Sequence, residues 1–85
     1  MVFLPIKKEH FDRIRSGEKK TEFRSRSKYY ENRLRKAPKA IKFRNGYQPT
    51  SPVIYAELIS VGTKKINGAE YFALELGKIQ EEPFF

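Results

Sequence analysis

Lys19, Glu22 and Arg24, three ionisable side chains within six residues, are the first candidates for chemistry in this chain. Side chains alternate between the two faces of a strand, so Glu22 and Arg24 share a face and can pair or jointly approach a ligand. Lys19 stands just after Ser16-Gly17-Glu18, at a corner from which its long side chain can fold back over that face. General-base work is open to such a lysine. In phosphodiester cleavage Lys19 or Glu22 would move the proton of a 2′-hydroxyl, and Arg24 would stabilise the charge developing on phosphorus oxygens. The competing reading is an exposed ion-pair network, which contributes little.

Basic and aromatic residues interleave around and beyond this cluster: Lys20, Arg24, Arg26, Lys28, Tyr29, Tyr30, Arg33, Arg35 and Lys36, then Phe43, Arg44 and Tyr47. Cations neutralise phosphates, and an exposed tyrosine ring can stack on an unpaired base for about 1 to 3 kcal/mol. Tyr29 or Tyr30 could equally cap a core, as rings of this size are usually buried. His10 has no partner visible in the sequence and reads as a surface or packing residue.

These side chains need a small scaffold. The chain has 85 residues and a net charge of +8, and its 39% hydrophobic content suffices for one core. A single domain spanning 1–85 is therefore expected. Residues 7–44 hold fifteen of the eighteen Lys and Arg against five acids, whereas residues 45–85 are slightly acidic. That asymmetry is the footprint of a polyanion binder. With no Cys there is no disulfide framework, thiol nucleophile or thiolate metal site, and one His builds no metal site without carboxylates. Neither a cofactor nor a metal is expected. No apolar run reaches the roughly 20 residues of a membrane span, and Met1 leads into a strand-like segment and not a signal peptide. The expectation is a cytoplasmic monomer.

The expected elements follow from periodicity. Val2–Ile6 suits an edge strand interrupted by Pro5. Phe11 and Ile14, spaced i, i+3, mark a two-turn helix over Lys8–Ser16 that Gly17 ends. Lys20–Arg26 alternates around Phe23 as a short strand. Ser27–Ala37 could be a basic loop or a single helical turn. Lys39–Arg44 alternates, with Ile41 and Phe43 on one face, and Asn45-Gly46 turns the chain. Val53–Val61 is apolar on both faces, as a strand covered on two sides would be. After Asn67-Gly68, Tyr71–Ile79 places Phe72, Leu74 and Leu76 on one face. Five strands and one or two short helices give an α+β, mainly β fold. A small closed barrel is the economical form, because closure removes edges. Ile41, Phe43, Ile54, Leu58, Phe72, Leu74 and Leu76 would line it, with Phe11 and Ile14 plugging one end.

The run Gly17-x-Lys19-x-x-Glu22-x-Arg24 resembles the G-x-K-x-x-E-x-R signature of ASCH domains. Leu4-Pro5-Ile6-Lys7 resembles that family's opening strand, Phe11–Gly17 its first helix, Ile41–Phe43 with Asn45-Gly46 its middle hairpin, and Tyr71–Ile79 its closing strand. The resemblance implies a PUA-like β-barrel that binds RNA or modified nucleosides. Some small bacterial members are acetylcytidine amidohydrolases, others have been proposed as ribonucleases, and related modules bind RNA or modified DNA. Lys19 matches the lysine at the catalytic centre of the amidohydrolases, and Arg24 the arginine lining their pocket. Glu22 stands where they have a threonine nucleophile. They also take a glutamate from a helical insertion between the last two strands, where this chain has only Gly62–Glu70; Glu70 or Glu75 would have to substitute.

The function expected is therefore a module for RNA or another single-stranded nucleic acid, modified nucleosides and DNA included, with Lys19, Glu22 and Arg24 flooring the cleft. Lys20, Arg26, Lys28, Tyr29, Tyr30, Arg33, Arg35 and Arg44 would grip the strand. The alternatives are a small hydrolase using the same cleft, ribonuclease or acetylcytidine-type amidohydrolase, and an adaptor for an acidic protein.

Overall fold

A computed structural model describes residues 2–83 of the chain. Strand β1 (Val2–Ile6) turns Val2, Leu4 and Ile6 inward and Phe3 and Pro5 outward. Helix α1 (Lys8–Arg15) buries Phe11 and Ile14. It stops because Gly17 takes φ +85°, a left-handed conformation that costs glycine little. The Gly17 N–H donates to the Ile14 carbonyl at 3.0 Å and the Lys19 N–H to the Arg13 carbonyl at 2.9 Å, so the chain folds back along its own helix before entering β2 (Thr21–Ser25).

The undecided basic segment is a two-turn helix, α2 (Lys28–Arg35). Ser27 caps it, its hydroxyl accepting the Tyr30 N–H at 3.4 Å. Tyr30 and Leu34, four residues apart, form the stripe that packs on the core. Tyr29 and Arg33 form the opposite, outward pair. Strands β3 (Ala40–Asn45), β4 (Val53–Ile66) and β5 (Ala69–Gln80) complete the fold. Asn67 and Gly68 both have positive φ, the requirement of a tight two-residue hairpin, so β4 and β5 run continuously to that turn.

The five strands form one mixed sheet in the order β1-β3-β4-β5-β2, with β1 parallel to β3 and the other pairs antiparallel. The fold is thus small, α+β and mainly β, as expected. The sheet does not close into a barrel: β1 and β2 are its two edges, and no backbone ladder joins them. One cause lies in Pro5. A residue's N–H and C=O point to the same side of a strand, so Pro5 offers the gap an acceptor and no donor. That acceptor is taken by a side chain, as Arg24 Nη2 on β2 donates to the Pro5 carbonyl at 3.3 Å. The gap is a seam bridged by arginine.

The core contains the expected Phe11, Ile14, Ile41, Phe43, Ile54, Phe72, Leu74 and Leu76, joined by Val2, Leu4, Ile6, Leu34 and Ala56. Leu58 is only half-buried. The expectation that Val53–Val61 is covered on both faces is also corrected, since Ile59 is 64% and Val61 39% exposed. Register shifts on either side of Leu58 re-aim β4, and from Ile59 to Lys65 its residues are exposed, while β5 opposite still carries the buried Leu74 and Phe72.

Candidate functional site

The seam brings Lys19, Glu22 and Arg24 together. Glu22 is 6% exposed, the sole buried charged residue among those described. Its Oε1 lies 2.8 Å from Lys19 Nζ. Its Oε2 lies 2.9 Å from Arg24 Nη2 and accepts from Arg24 Nε at 3.1 Å. The exposed rim network weighed above is therefore not what forms: the carboxylate is buried and clamped from both sides, and the cluster carries a net positive charge.

His10 belongs to this cluster, which corrects its reading as a partnerless residue. Its Nδ1 lies 3.1 Å from Lys19 Nζ. A lysine ammonium has only donors, so Nδ1 is the acceptor of this contact. The contact follows from the Gly17 turn, which returns Lys19 to the first turn of α1. A pocket of about 270 Å³ opens here, lined by Pro5, Ile6, Lys7, His10, Glu22, Arg24 and Tyr47. Lys19, expected to floor the cleft, stands behind this lining and reaches it through Glu22 and His10. Tyr47, 83% exposed, is held at the mouth by Gly46, whose N–H donates to the Ile6 carbonyl at 2.8 Å and whose φ is +92°. The volume is slightly below the range of about 300–1,000 Å³ that suits drug-sized ligands and fits a group on the scale of a nucleoside. Among the described residues no three His, Asp or Glu side chains come together as a metal site.

The acids that would have to replace the inserted glutamate lie elsewhere. Glu75 accepts the Thr21 hydroxyl at 3.1 Å on the outer face of the sheet, and Glu70 pairs with Arg26 at 3.0 Å. Thr21, the one threonine beside the motif, likewise lies outside the pocket.

The remaining candidates divide by whether their charge is already answered. Arg26 pairs with Glu31 and Glu70 and lies over the Phe72 ring. Lys20 is exposed on the far side of the Gly17 turn, its backbone carbonyl taken by the Leu76 N–H. Tyr30 is half-buried against the core and meets Tyr29 edge-on, with ring centroids 5.0 Å apart. Tyr29 is 51% exposed, with the Arg33 guanidinium 3.7 Å from its ring centroid. Arg35 donates to Asn32 at 2.7 Å. Arg44 lies over Phe3 at 4.5 Å. From Lys28 to Arg44 there are seven cations (Lys28, Arg33, Arg35, Lys36, Lys39, Lys42 and Arg44), and among the described residues none has a carboxylate within salt-bridge distance. In the segment before them, six of eight cations (Lys8, Arg13, Arg15, Lys19, Arg24 and Arg26) are paired, and Lys7 and Lys20 are not, again among the described residues. Uncompensated positive charge is thus concentrated on α2 and β3.

No protein-family model matches the chain, and neither a curated protein nor a solved structure matches it.

Proposed function

We propose that this chain is a nucleic-acid-binding module of ASCH-like character, with RNA as its ligand. The seam pocket takes a nucleotide, and the α2–β3 face holds the flanking phosphates. The observation that carries this reading is the segregation of charge. Cations kept for solubility would be interspersed with acids, as they are around α1. Seven successive cations from Lys28 to Arg44, none with a carboxylate in reach among the described residues, create a field suited to a polyanion. The resemblance around Gly17–Arg24 supports the same class of ligand.

The test is the salt dependence of binding to labelled single-stranded RNA, followed by fluorescence anisotropy. Replacing Arg33 and Lys36 together by glutamine is expected to lower the slope of log K against log salt by about 1 to 2. Replacing the paired Arg13 and Arg15 is expected to change it far less. Equal effects from both pairs would overturn the reading.

His10 favours a second reading, a ribonuclease acting in the same pocket. Glu22 is committed to two cations, so His10 is the group that would take the proton of a 2′-hydroxyl, at the Nδ1 lone pair that Lys19 releases, as O2′ bonds to phosphorus and the P–O5′ bond breaks, the 5′-oxygen leaving with a proton from water. Arg24 and Lys19 would then stabilise the charge gathering on the non-bridging oxygens. Deacylation of acetylcytidine has less support, because no residue of the pocket stands where a threonine nucleophile would. Appearance of 2′,3′-cyclic phosphate ends on RNA, abolished by His10→Ala, would establish cleavage; intact RNA would leave binding alone.

A further inference from the structure

The outer face of the sheet bears aromatic rings that the seam pocket does not use. Phe3 on β1 is in register with Lys42 on β3, which is in register with Tyr55 on β4, so the three side chains form one row across the outer face. Arg44 lies 4.5 Å from the Phe3 ring centroid and Lys42 Nζ 5.9 Å from that of Tyr55. Phe3, 40% exposed, also forms one wall of a groove of about 690 Å³ whose other wall is α2 with Tyr29, Asn32, Arg33 and Lys36. Three rings, Tyr29, Phe3 and Tyr55, are therefore each attended by a cation, Arg33, Arg44 and Lys42 respectively.

None of these three cations makes a side-chain hydrogen bond or an ion pair among the described residues, although Arg44 is half-buried and its Nε is shielded from water without a partner. Arg33 is exposed and Arg44 half-buried, and stacking on Tyr29 and Phe3 leaves guanidinium N–H groups of both uncommitted. A ring or guanidinium plane offers a π surface to any base, and the free N–H edges beside it can meet a phosphate.

From this juxtaposition we infer that Tyr29–Arg33, Phe3–Arg44 and Tyr55–Lys42 form a track for single-stranded nucleic acid, on which unpaired bases stack while the cations meet the backbone. The inference rests on the nucleic-acid reading and adds that the ligand is unpaired. It also puts much of the binding surface on β1, β3, β4 and α2, outside the seam. Phe3 and Tyr55 are two strands apart, about 10 Å, or roughly three nucleotides at a stacked rise of about 3.4 Å. With the α2 groove, the track suits about four to six nucleotides, the lower end of the range for single-strand-binding folds.

The experiment measures binding of a length series of labelled oligouridylates to the wild-type protein and to Tyr29→Ala, Phe3→Ala and Tyr29→Phe, all of unchanged charge. Affinity is expected to rise to about four to six nucleotides and then level off. Each alanine variant should lose about 5- to 100-fold in affinity with an unaltered salt slope, and Tyr29→Phe should bind as the parent does. A duplex RNA, whose bases are already stacked, should bind equally to all four proteins. Thermal melts identify any variant whose loss comes from misfolding; Tyr29, exposed on α2, is the residue least exposed to that outcome. Parental affinity of Tyr29→Ala and Phe3→Ala for the oligouridylates would overturn the track while leaving the nucleic-acid reading in place. Polyglutamate competing as well as oligouridylate of equal charge would assign the face to an acidic polypeptide instead. Failure of the wild-type protein to bind any RNA would overturn both readings.

Discussion

Replacing Glu22 by glutamine keeps the side chain's size and removes the one negative charge from the seam. In the native fold the carboxylate meets Lys19 Nζ at 2.8 Å, Arg24 Nη2 at 2.9 Å and Arg24 Nε at 3.1 Å. Hydrogen bonds to charged groups contribute about 1.5 to 3 kcal/mol each, and breaking a buried ion pair costs about 3 to 5 kcal/mol. Two features lower the loss here. The Lys19 and Arg24 side chains are 17% and 19% exposed, so water partly solvates the stranded cations, and the amide oxygen can still accept from one of them. The expected destabilisation is about 2 to 4 kcal/mol, out of a total of about 4 to 13 kcal/mol for a chain of 85 residues. At about 4 to 8 °C per kcal/mol, the melting temperature should fall by roughly 10 to 30 °C. Urea titration and thermal circular dichroism measure this, and hydrogen exchange along β1 should rise as Arg24 loses the carboxylate that holds it against Pro5. Replacing the whole cluster (Lys19→Met, Glu22→Leu, Arg24→Met) should recover most of the stability, because the burden comes from unpaired charge. A Glu22→Gln protein that melts within a few degrees of the parent would refute the view that this carboxylate holds the seam.

Three other outcomes are expected. Phe43→Ala and Leu74→Ala, at positions 0% and 1% exposed, should each lose about 2 to 5 kcal/mol in urea titration. Ala37→Gly should stabilise by up to about 1 kcal/mol, because Ala37 holds φ +51° after α2, where a side chain adds strain. Lys19→Ala leaves Glu22 paired with Arg24 and should cost only about 1 to 2 kcal/mol, while nuclear magnetic resonance titration with nucleoside monophosphates should show the seam pocket no longer responding.

The elements with regular periodicity were legible in the sequence. Alternation around Phe43, Leu74 and Phe23 located strands, Phe11 with Ile14 located α1, and Gly17 ended it. The Lys19–Glu22–Arg24 cluster could be read because a turn at Gly17 and the two-residue period of β2 fix it locally. Helix α2 was harder, since its core stripe is only Tyr30 and Leu34 among eight mostly charged residues, and Ser27 was the capping signal that identifies it. The burial of Glu22, the approach of Tyr47, and the row Phe3–Lys42–Tyr55 depend on which strands become neighbours. That is a long-range property with no local pattern to announce it. Barrel closure failed as an expectation although Pro5 marks β1 as an edge, because that β2 is the other edge, and that Arg24 reaches across to β1, is set by long-range pairing.

The central claim is that unanswered positive charge on α2 and β3 serves a single-stranded nucleic acid. It is tested most directly by titrating the isotope-labelled protein with single-stranded RNA and following its backbone amide resonances. Saturable shifts should cluster at residues 2–7, 28–36, 42–47 and 55. Shifts confined to the outer face of α1 or to the hairpin end around residues 62–70, or no shifts at all, would contradict it.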